Sequence, residues 1–198
     1  MPLPTVYDIG AGLGQLREPV QQTGLEYVGF DYQPQTRGMV VWNLDEKCPL
    51  DRPAAGLVLL LEVVEHLLNP GVAFDSIAGL IAPGGYFLVT TPNPQWSRSR
   101  LEALRTGYPS FFTITDLELN GHVFPVFPHV LEHMLKQRGF VIEQFVMLKA
   151  PTVWPKLQLR PWYPFRLVHA AANKLIEKFD KTATGGCYAV LAKKTAAI

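Results

Sequence analysis

The sequence predicts an α/β protein built on a doubly wound, mostly parallel sheet, and three observations lead there. Short apolar or β-branched runs alternate with helical stretches along most of the chain. The first run stops abruptly in glycines, Asp8-Ile9-Gly10-Ala11-Gly12-Leu13-Gly14, which then open a helix. Gly56 to Leu61 (GLVLLL) is apolar throughout, as a central strand covered on both faces is.

The elements follow in order. Thr5 to Ile9 is the first strand, and a short helix over Gln15 to Gln22 comes after the glycines. Tyr27 to Phe30 is the second strand, closed by Asp31. Only seven residues, Tyr32 to Gly38, separate it from the third, Met39 to Trp42. A crossover helix ordinarily needs about a dozen, so none is expected there. Beyond the central strand, Val63 to Leu68 opens a helix and Val72 to Ala82 forms another. Pro83-Gly84-Gly85 is a turn before the strand Tyr86 to Thr90. Pro92 and Pro94 make a loop, residues 96–106 are helical, and 107–125 are irregular. Phe127 to Gln137 carries apolar residues at Phe127, Val130, Leu131, Met134 and Leu135, one helical stripe. Gly139 ends it, Phe140 to Leu148 is a strand, and Cys187 to Ala192 (CYAVLA) is the last.

At 198 residues and 48% hydrophobic, the chain predicts one domain over 1–198 with a single core. Its 18 Lys+Arg against 17 Asp+Glu give a net of +1, which excludes a generally basic nucleic-acid binder. That balance hides an asymmetry. Residues 1–148 hold 9 basic and 15 acidic side chains, whereas 149–186 hold 7 basic and 2 acidic. The basic stretch, an insertion between the last two strands, interleaves Trp154, Trp162, Tyr163, Phe165 and Phe179 with its charges. Two cysteines, Cys48 and Cys187, fit a reducing cytoplasm and not a disulfide scaffold. The opening residues predict no signal peptide, and no apolar run approaches a membrane span.

The glycine loop sits where a ligand's backbone contacts are made in such folds. Its pattern is G-x-G-x-G, with Gln15 in the third-glycine place of the dinucleotide fingerprint, which disfavours a nicotinamide oxidoreductase. Asp31, at the end of the second strand, is placed to accept hydrogen bonds from both hydroxyls of a ribose.

Here the chain resembles the class I S-adenosylmethionine-dependent methyltransferases. V-Y-D-I-G-A-G-L-G is similar to their first motif, and Asp31 matches their ribose-binding acid. Asn43-Leu44-Asp45 resembles their adenine-holding segment. Leu61-Glu62-Val63-Val64-Glu65-His66-Leu67 resembles the motif after the central strand, and Ile81-Ala82-Pro83-Gly84-Gly85 their proline-glycine turn. The resemblance covers residues 4–148 and the last strand. It implies a Rossmann-like methyltransferase fold of seven strands, the final one inserted antiparallel between the fifth and sixth. It also implies S-adenosylmethionine as cofactor, held by Asp8, Gly10, Ala11, Gly12, Gly14, Asp31, Tyr32, Asn43, Leu44, Asp45 and Glu62. Family members carry one or two helices before the first strand, which begins here near Thr5. These reduced N-terminal helices imply that the C-terminal segment, a second copy or a partner chain helps enclose the cofactor.

Glu62, Glu65 and His66 fall at i, i+3 and i+4, and are expected on one face of a helix start at the carboxyl end of the central strand. Two carboxylates and an imidazole suit a divalent metal, with His122 returning as a fourth ligand. The spacing resembles the metal site of small-RNA 2′-O-methyltransferases and of some ubiquinone-pathway O-methyltransferases. Two other readings stand beside it: a metal-free role with the histidine as base, and a structural one. His129-Val130-Leu131-Glu132-His133 matches H-x-x-E-H, but its His129, Glu132 and His133 lie opposite the apolar stripe of their helix and are expected to face water. In the basic insertion, Leu167, Ala171, Leu175 and Phe179 form a helical stripe that would pack on the sheet, while the segment's charge also suits a peripheral membrane contact. Asn93 is expected to face the same crevice as the acid–histidine cluster. Together these features predict an O-directed methyltransferase acting on a hydroxyl-bearing small molecule or glycan. The alternatives are a cofactor-binding or scaffold protein without turnover, and a metal-dependent RNA 2′-O-methyltransferase.

Overall fold

The first strand, β1 (Thr5–Ile9), is β-branched and apolar, and four of its five residues are buried. In the computed structural model, which describes residues 4–49, 55–150, 152–156 and 162–195, β1 lies between β2 (Glu26–Asp31) and β4 (Ala55–Leu61), parallel to both. The two-residue β3 (Val40–Val41) borders β2, and no helix separates them, as the short connector predicts. The remaining strands are β5 (Ile81–Pro92), β6 (Phe140–Lys149) and β7 (Gly185–Lys194). The sheet order is β3-β2-β1-β4-β5-β7-β6, with β7 antiparallel to both its neighbours.

Apolar side chains from the strands meet those of the helices in one core. Tyr7, Phe30 and Trp42 form an edge-to-face chain with ring centroids 5.1 and 5.8 Å apart. Helix α1 (Arg17–Gln22) is short and buries none of its residues. Helix α2 (Pro70–Leu80) turns Ala73, Phe74, Ile77 and Leu80 inward, and α5 (Pro128–Lys136) turns Leu131 and Leu135 inward. On α5, His129, Glu132 and His133 are exposed, and Glu132 pairs with Lys136. The H-x-x-E-H match is a solvated face. Helix α3 (Ser97–Thr106) packs against α6 (Tyr163–Phe179).

Four expectations are corrected. Val63 to Leu68 does not open a helix: only a single 3₁₀ turn, Val64–His66, forms before α2 begins at Pro70. The residue before a proline disfavours helical backbone, so Asn69 separates the two. Pro83-Gly84-Gly85 is not a turn between elements. It is an irregularity inside β5, where Gly84 adopts φ 79° and the pairing with β4 shifts register. The stretch 107–125 contains a helix, α4 (Ile114–Asn120), started by a capping box between Thr113 and Asp116.

The fourth concerns α6. Its stripe of Leu167, Ala171, Leu175 and Phe179 does not pack on the sheet: Ala171, Leu175 and Phe179 are exposed and Leu167 is half-buried. The helix instead buries Ala170 and Asn173, because Glu177, on the same side, has partners beneath it. Glu177 accepts hydrogen bonds from Ser97 Oγ at 2.9 Å and Thr152 Oγ1 at 2.6 Å. Among the described residues, no helix is long and apolar enough to cross a membrane.

Candidate functional site

The glycine loop is tied to the end of β2 by a set of backbone hydrogen bonds. Gly10 N–H and Ala11 N–H both donate to the Phe30 carbonyl, at 2.8 and 2.9 Å. Gly12 N–H donates to Asp31 Oδ2 at 2.8 Å, and Gln33 N–H to Asp31 Oδ1 at 2.9 Å. The carboxylate of Asp31 is thus oriented from both sides. Gly10 has φ 76°, and a Cβ there would collide with the Val63 side chain. Only glycine fits that turn.

Below the loop, Asp8 is buried and accepts a hydrogen bond from the Tyr27 hydroxyl at 2.7 Å. Burial raises its pKa above the usual carboxylate range; the Tyr27 bond opposes that and the nearby Asp31 charge adds to it. Beyond β3, the chain turns at Asn43, whose Oδ1 accepts from Asp45 N–H at 3.1 Å. Asp45 Oδ1 in turn accepts from Asn69 N–H at 2.8 Å, fixing this turn to the start of α2.

These pieces enclose a cavity of about 520 Å³ at the carboxyl ends of β1, β2 and β4. Gly10, Asp31, Tyr32, Asn43, Leu44, Asp45 and Glu62 all line it. So do residues to which the sequence assigns no site role: Ile9, Phe30, Trp42, Val63 and Leu67 supply apolar walls. Their apolarity in sequence marks them as core, and nothing in the pattern separates a wall from a core position. Asp8, Ala11, Gly12 and Gly14 are not among its lining residues: Asp8 sits beneath the loop, and Gly12 acts through its N–H on Asp31.

At one end of the cavity stand Glu62 and His66. Glu62 and Glu65 do not share a helix face, contrary to the expectation. Glu62 lies ahead of the 3₁₀ turn at φ 54°, its N–H donating to Thr90, and its carboxylate accepts from the Cys187 thiol at 3.4 Å. Burial and Glu62 push that thiol up to about 12. Glu65 is fully buried. Its Oε2 accepts from Thr91 Oγ1 at 3.0 Å, while Oε1 has no hydrogen-bond partner among the described residues. Burial pushes the Glu65 carboxyl up to about 7, and the Glu62 charge adds to the rise.

The Glu65 carbonyl accepts from both Val123 and Phe124 N–H, at 2.9 and 3.0 Å, and so draws the loop after α4 onto the 3₁₀ turn. That brings His122 against His66, ring centroids 4.8 Å apart and nearly perpendicular. Glu65, His66 and His122 each offer a ligand atom within 4.8 Å of the others, and Glu62 stands outside this set. His66 Nδ1 lies 3.2 Å from the Gly121 carbonyl and His122 Nδ1 lies 2.7 Å from that of Phe111. Burial lowers the His66 pKa, and the neighbouring His122 lowers it further. Phe111 holds this carbonyl in place at φ 70°, an uncommon conformation for a non-glycine residue. No sequence signal announces it.

Asn93 does not face the crevice. It is buried, and its Nδ2 donates to the carbonyls of Thr182 at 2.8 Å and Gly185 at 2.9 Å. It clasps the loop after β5 to the start of β7. Beside it, a second cavity of about 970 Å³ opens between α3 and α6. There Trp96 and Phe111 stack with ring centroids 6.0 Å apart, and the Arg98 guanidinium lies over Trp96. Phe111 therefore joins the two regions, its carbonyl on His122 and its ring in this second cavity.

Comparison with known proteins agrees with this architecture. Residues 3–144 match the family described as "Methyltransferase domain". A ubiquinone biosynthesis O-methyltransferase of Bradyrhizobium diazoefficiens is 30% identical over 161 residues, 74% of this chain and 62% of that protein. The chain thus spans three-fifths of the length of that relative. Among solved structures, a SAM-dependent methyltransferase from Archaeoglobus fulgidus superposes with a TM-score of 0.63 at 21% identity, covering 97% of this chain and 86% of that one. The magnesium protoporphyrin IX methyltransferase of Synechocystis with bound SAH superposes with a TM-score of 0.60 at 14% identity, covering 98% of this chain and 75% of that one. With a family match over most of its length, the fold's strand order and the glycine loop facing Asp31, this chain belongs to the class I S-adenosylmethionine-dependent methyltransferases.

Proposed function

We propose that this chain transfers the methyl group of S-adenosylmethionine to a hydroxyl oxygen of a small molecule or glycan. One observation carries the reading: a single cavity runs from the Asp31 carboxylate and the Asn43–Asp45 turn to the His66 imidazole. The residues present fit an adenosyl group. Asp31 keeps lone pairs on both oxygens for ribose hydroxyls, and Ile9, Phe30, Trp42 and Leu44 offer apolar walls for a purine. Gly10 gives close backbone approach. When bound, S-adenosylmethionine supplies an electrophilic methyl group on a sulfonium. Alignment of the acceptor oxygen supplies most of the rate. His66, kept neutral by its lowered pKa, takes the hydroxyl proton on Nε2 when Nδ1–H faces the Gly121 carbonyl. The ubiquinone-pathway name of the Bradyrhizobium relative supports oxygen as the methyl acceptor. The Trp96–Phe111 stack beside His122 offers the acceptor an aromatic berth.

A second reading rests on Glu65 Oε1. A buried carboxylate oxygen without a donor, clustered with two imidazoles, is a set that a divalent cation would satisfy. Glu65, His66 and His122 would hold it, and it would lower the pKa of a bound diol hydroxyl.

Calorimetry with S-adenosylmethionine tests the cofactor assignment. Asp31→Ala is expected to weaken binding by about 10- to 100-fold, from lost hydrogen bonds to a charged group; equal affinities would break the ribose assignment. Radiolabelled methyl transfer to a panel of phenols, catechols and sugars tests turnover. Binding without transfer to any of them would favour the scaffold alternative. Full activity in chelator, with no thermal shift on adding Mg²⁺, Mn²⁺ or Zn²⁺, would remove the metal reading.

A further inference from the structure

Helix α6 is built inside out. Its protein-facing side carries Asn173, buried, and Glu177, which holds Ser97 and Thr152. Its outward side carries Phe165, Val168, Leu175 and Phe179, which are 76%, 68%, 58% and 79% exposed. At 100° per residue these four fall within one arc of the helix, about a quarter of its circumference. A helix on a water-facing surface places these residues the other way round. Trp154 and Trp162 are exposed beside the helix, and Lys174 Nζ lies 5.6 Å from the centre of the Trp154 ring.

Within residues 149–186 the charges around this arc have one sign. Of the two acids in residues 149–186, Glu177 is turned inward and Asp180 is paired with Arg100 and capped onto Thr182. Lys156, Arg166, Lys178 and Lys181 are exposed, and Lys174 is half-buried. Lys178 borders the apolar arc on one side, with its Nζ 5.9 Å from the Phe179 ring centre, and Lys174 lies further round that side against Trp154. An apolar strip rimmed by lysine and tryptophan, with its acids withdrawn, complements a surface that is apolar inside and negatively charged at its boundary.

We propose that the outer face of α6 docks this protein on an anionic lipid bilayer, with Phe165, Val168, Leu175 and Phe179 entering the acyl boundary and Lys174, Lys178 and Lys181 at the headgroups. The helix, 17 residues and about 25 Å long, then lies in the plane of the interface. Phe165 and Trp162 also line the rim of the cavity between α3 and α6. Docking therefore sets the mouth of that cavity at the lipid surface.

Co-sedimentation of the whole protein with vesicles tests this. Phosphatidylcholine vesicles containing phosphatidylglycerol are expected to pellet the protein, and phosphatidylcholine alone to pellet little of it. Lys174→Gln and Lys178→Gln should each weaken binding about fivefold at low salt, with the difference fading as salt rises. Phe165→Ser with Phe179→Ser should weaken it at least about tenfold. Each variant should keep the wild-type melting temperature and S-adenosylhomocysteine affinity, which separates lost docking from misfolding and from a failure of the cofactor reading. Absence of binding to either vesicle would overturn the proposal. So would phenylalanine variants that convert a dimer to a monomer in sedimentation velocity without changing vesicle binding, since the face would then be a contact between copies.

Discussion

The Tyr27 hydroxyl donates to Asp8 Oδ2 at 2.7 Å, a side-chain bond between β2 and β1 directly beneath the glycine loop. Asp8 is buried, and its raised pKa means that the folded protein binds its proton more tightly than the unfolded chain does. Its favourable contribution is complete at acid pH, below the unfolded carboxylate value, and is lost as pH rises through the folded one. Tyr27→Phe removes the bond that opposes this rise. We expect a loss of about 1–3 kcal/mol, larger at neutral than at acid pH, in urea unfolding. A pH-independent loss would contradict the account.

Gly10→Ala places a methyl group against Val63 at a backbone angle L-residues resist. The expected destabilisation is about 1–2 kcal/mol from backbone strain alone. Because the loop orients Asp31, cofactor affinity should fall as well. Thermal melts and calorimetry on one preparation read both.

His122→Gln removes one imidazole from the pair and leaves the residues around the 520 Å³ cavity in place. The turnover number is expected to fall by about 10²- to 10⁴-fold, with cofactor affinity changed little. His66→Gln should lower turnover similarly and also disturb binding, since His66 lines that cavity. Equal turnover by wild type and both variants would take proton transfer away from this cluster.

Asn93→Ala leaves the carbonyls of Thr182 and Gly185 without their donor. We expect about 2–3 kcal/mol of lost stability and a melting temperature roughly 5–10 °C lower. Differential scanning calorimetry checks this. An unchanged melting temperature would mean that the clasp is not needed to seat β7.

Much of this arrangement is legible in the sequence because backbone geometry and local spacing carry it. The apolar runs of β1 and β4, the glycines after Ile9 and the seven-residue connector to β3 each restrict the chain within a few residues. The antiparallel seating of β7 follows from the resemblance, and the pairing bears it out. Helix α4 was also within reach, since Thr113 and Asp116 have capping-box spacing. Other features depend on contacts between distant residues. Periodicity finds the stripe on α6, but which side faces inward is decided by Ser97 and Thr152 meeting Glu177. The separation of Glu62 from Glu65 arises from one left-handed backbone angle and a thiol far along the chain. His122 reaches His66 because the Glu65 carbonyl captures Val123 and Phe124, which no spacing rule contains.

Seating β7 between β5 and β6 also has a consequence for assembly. Among the described residues β6 pairs only with β7, in a register that joins Phe140 to Lys194. During synthesis on the ribosome, β6 emerges before its partner β7, because α6 lies between them in the chain. For that interval both β5 and β6 present open edges, which are prone to pairing with another chain. The nascent protein is thus open to misassembly in the interval between β6 and β7, and its sheet closes only when the strand following α6 arrives.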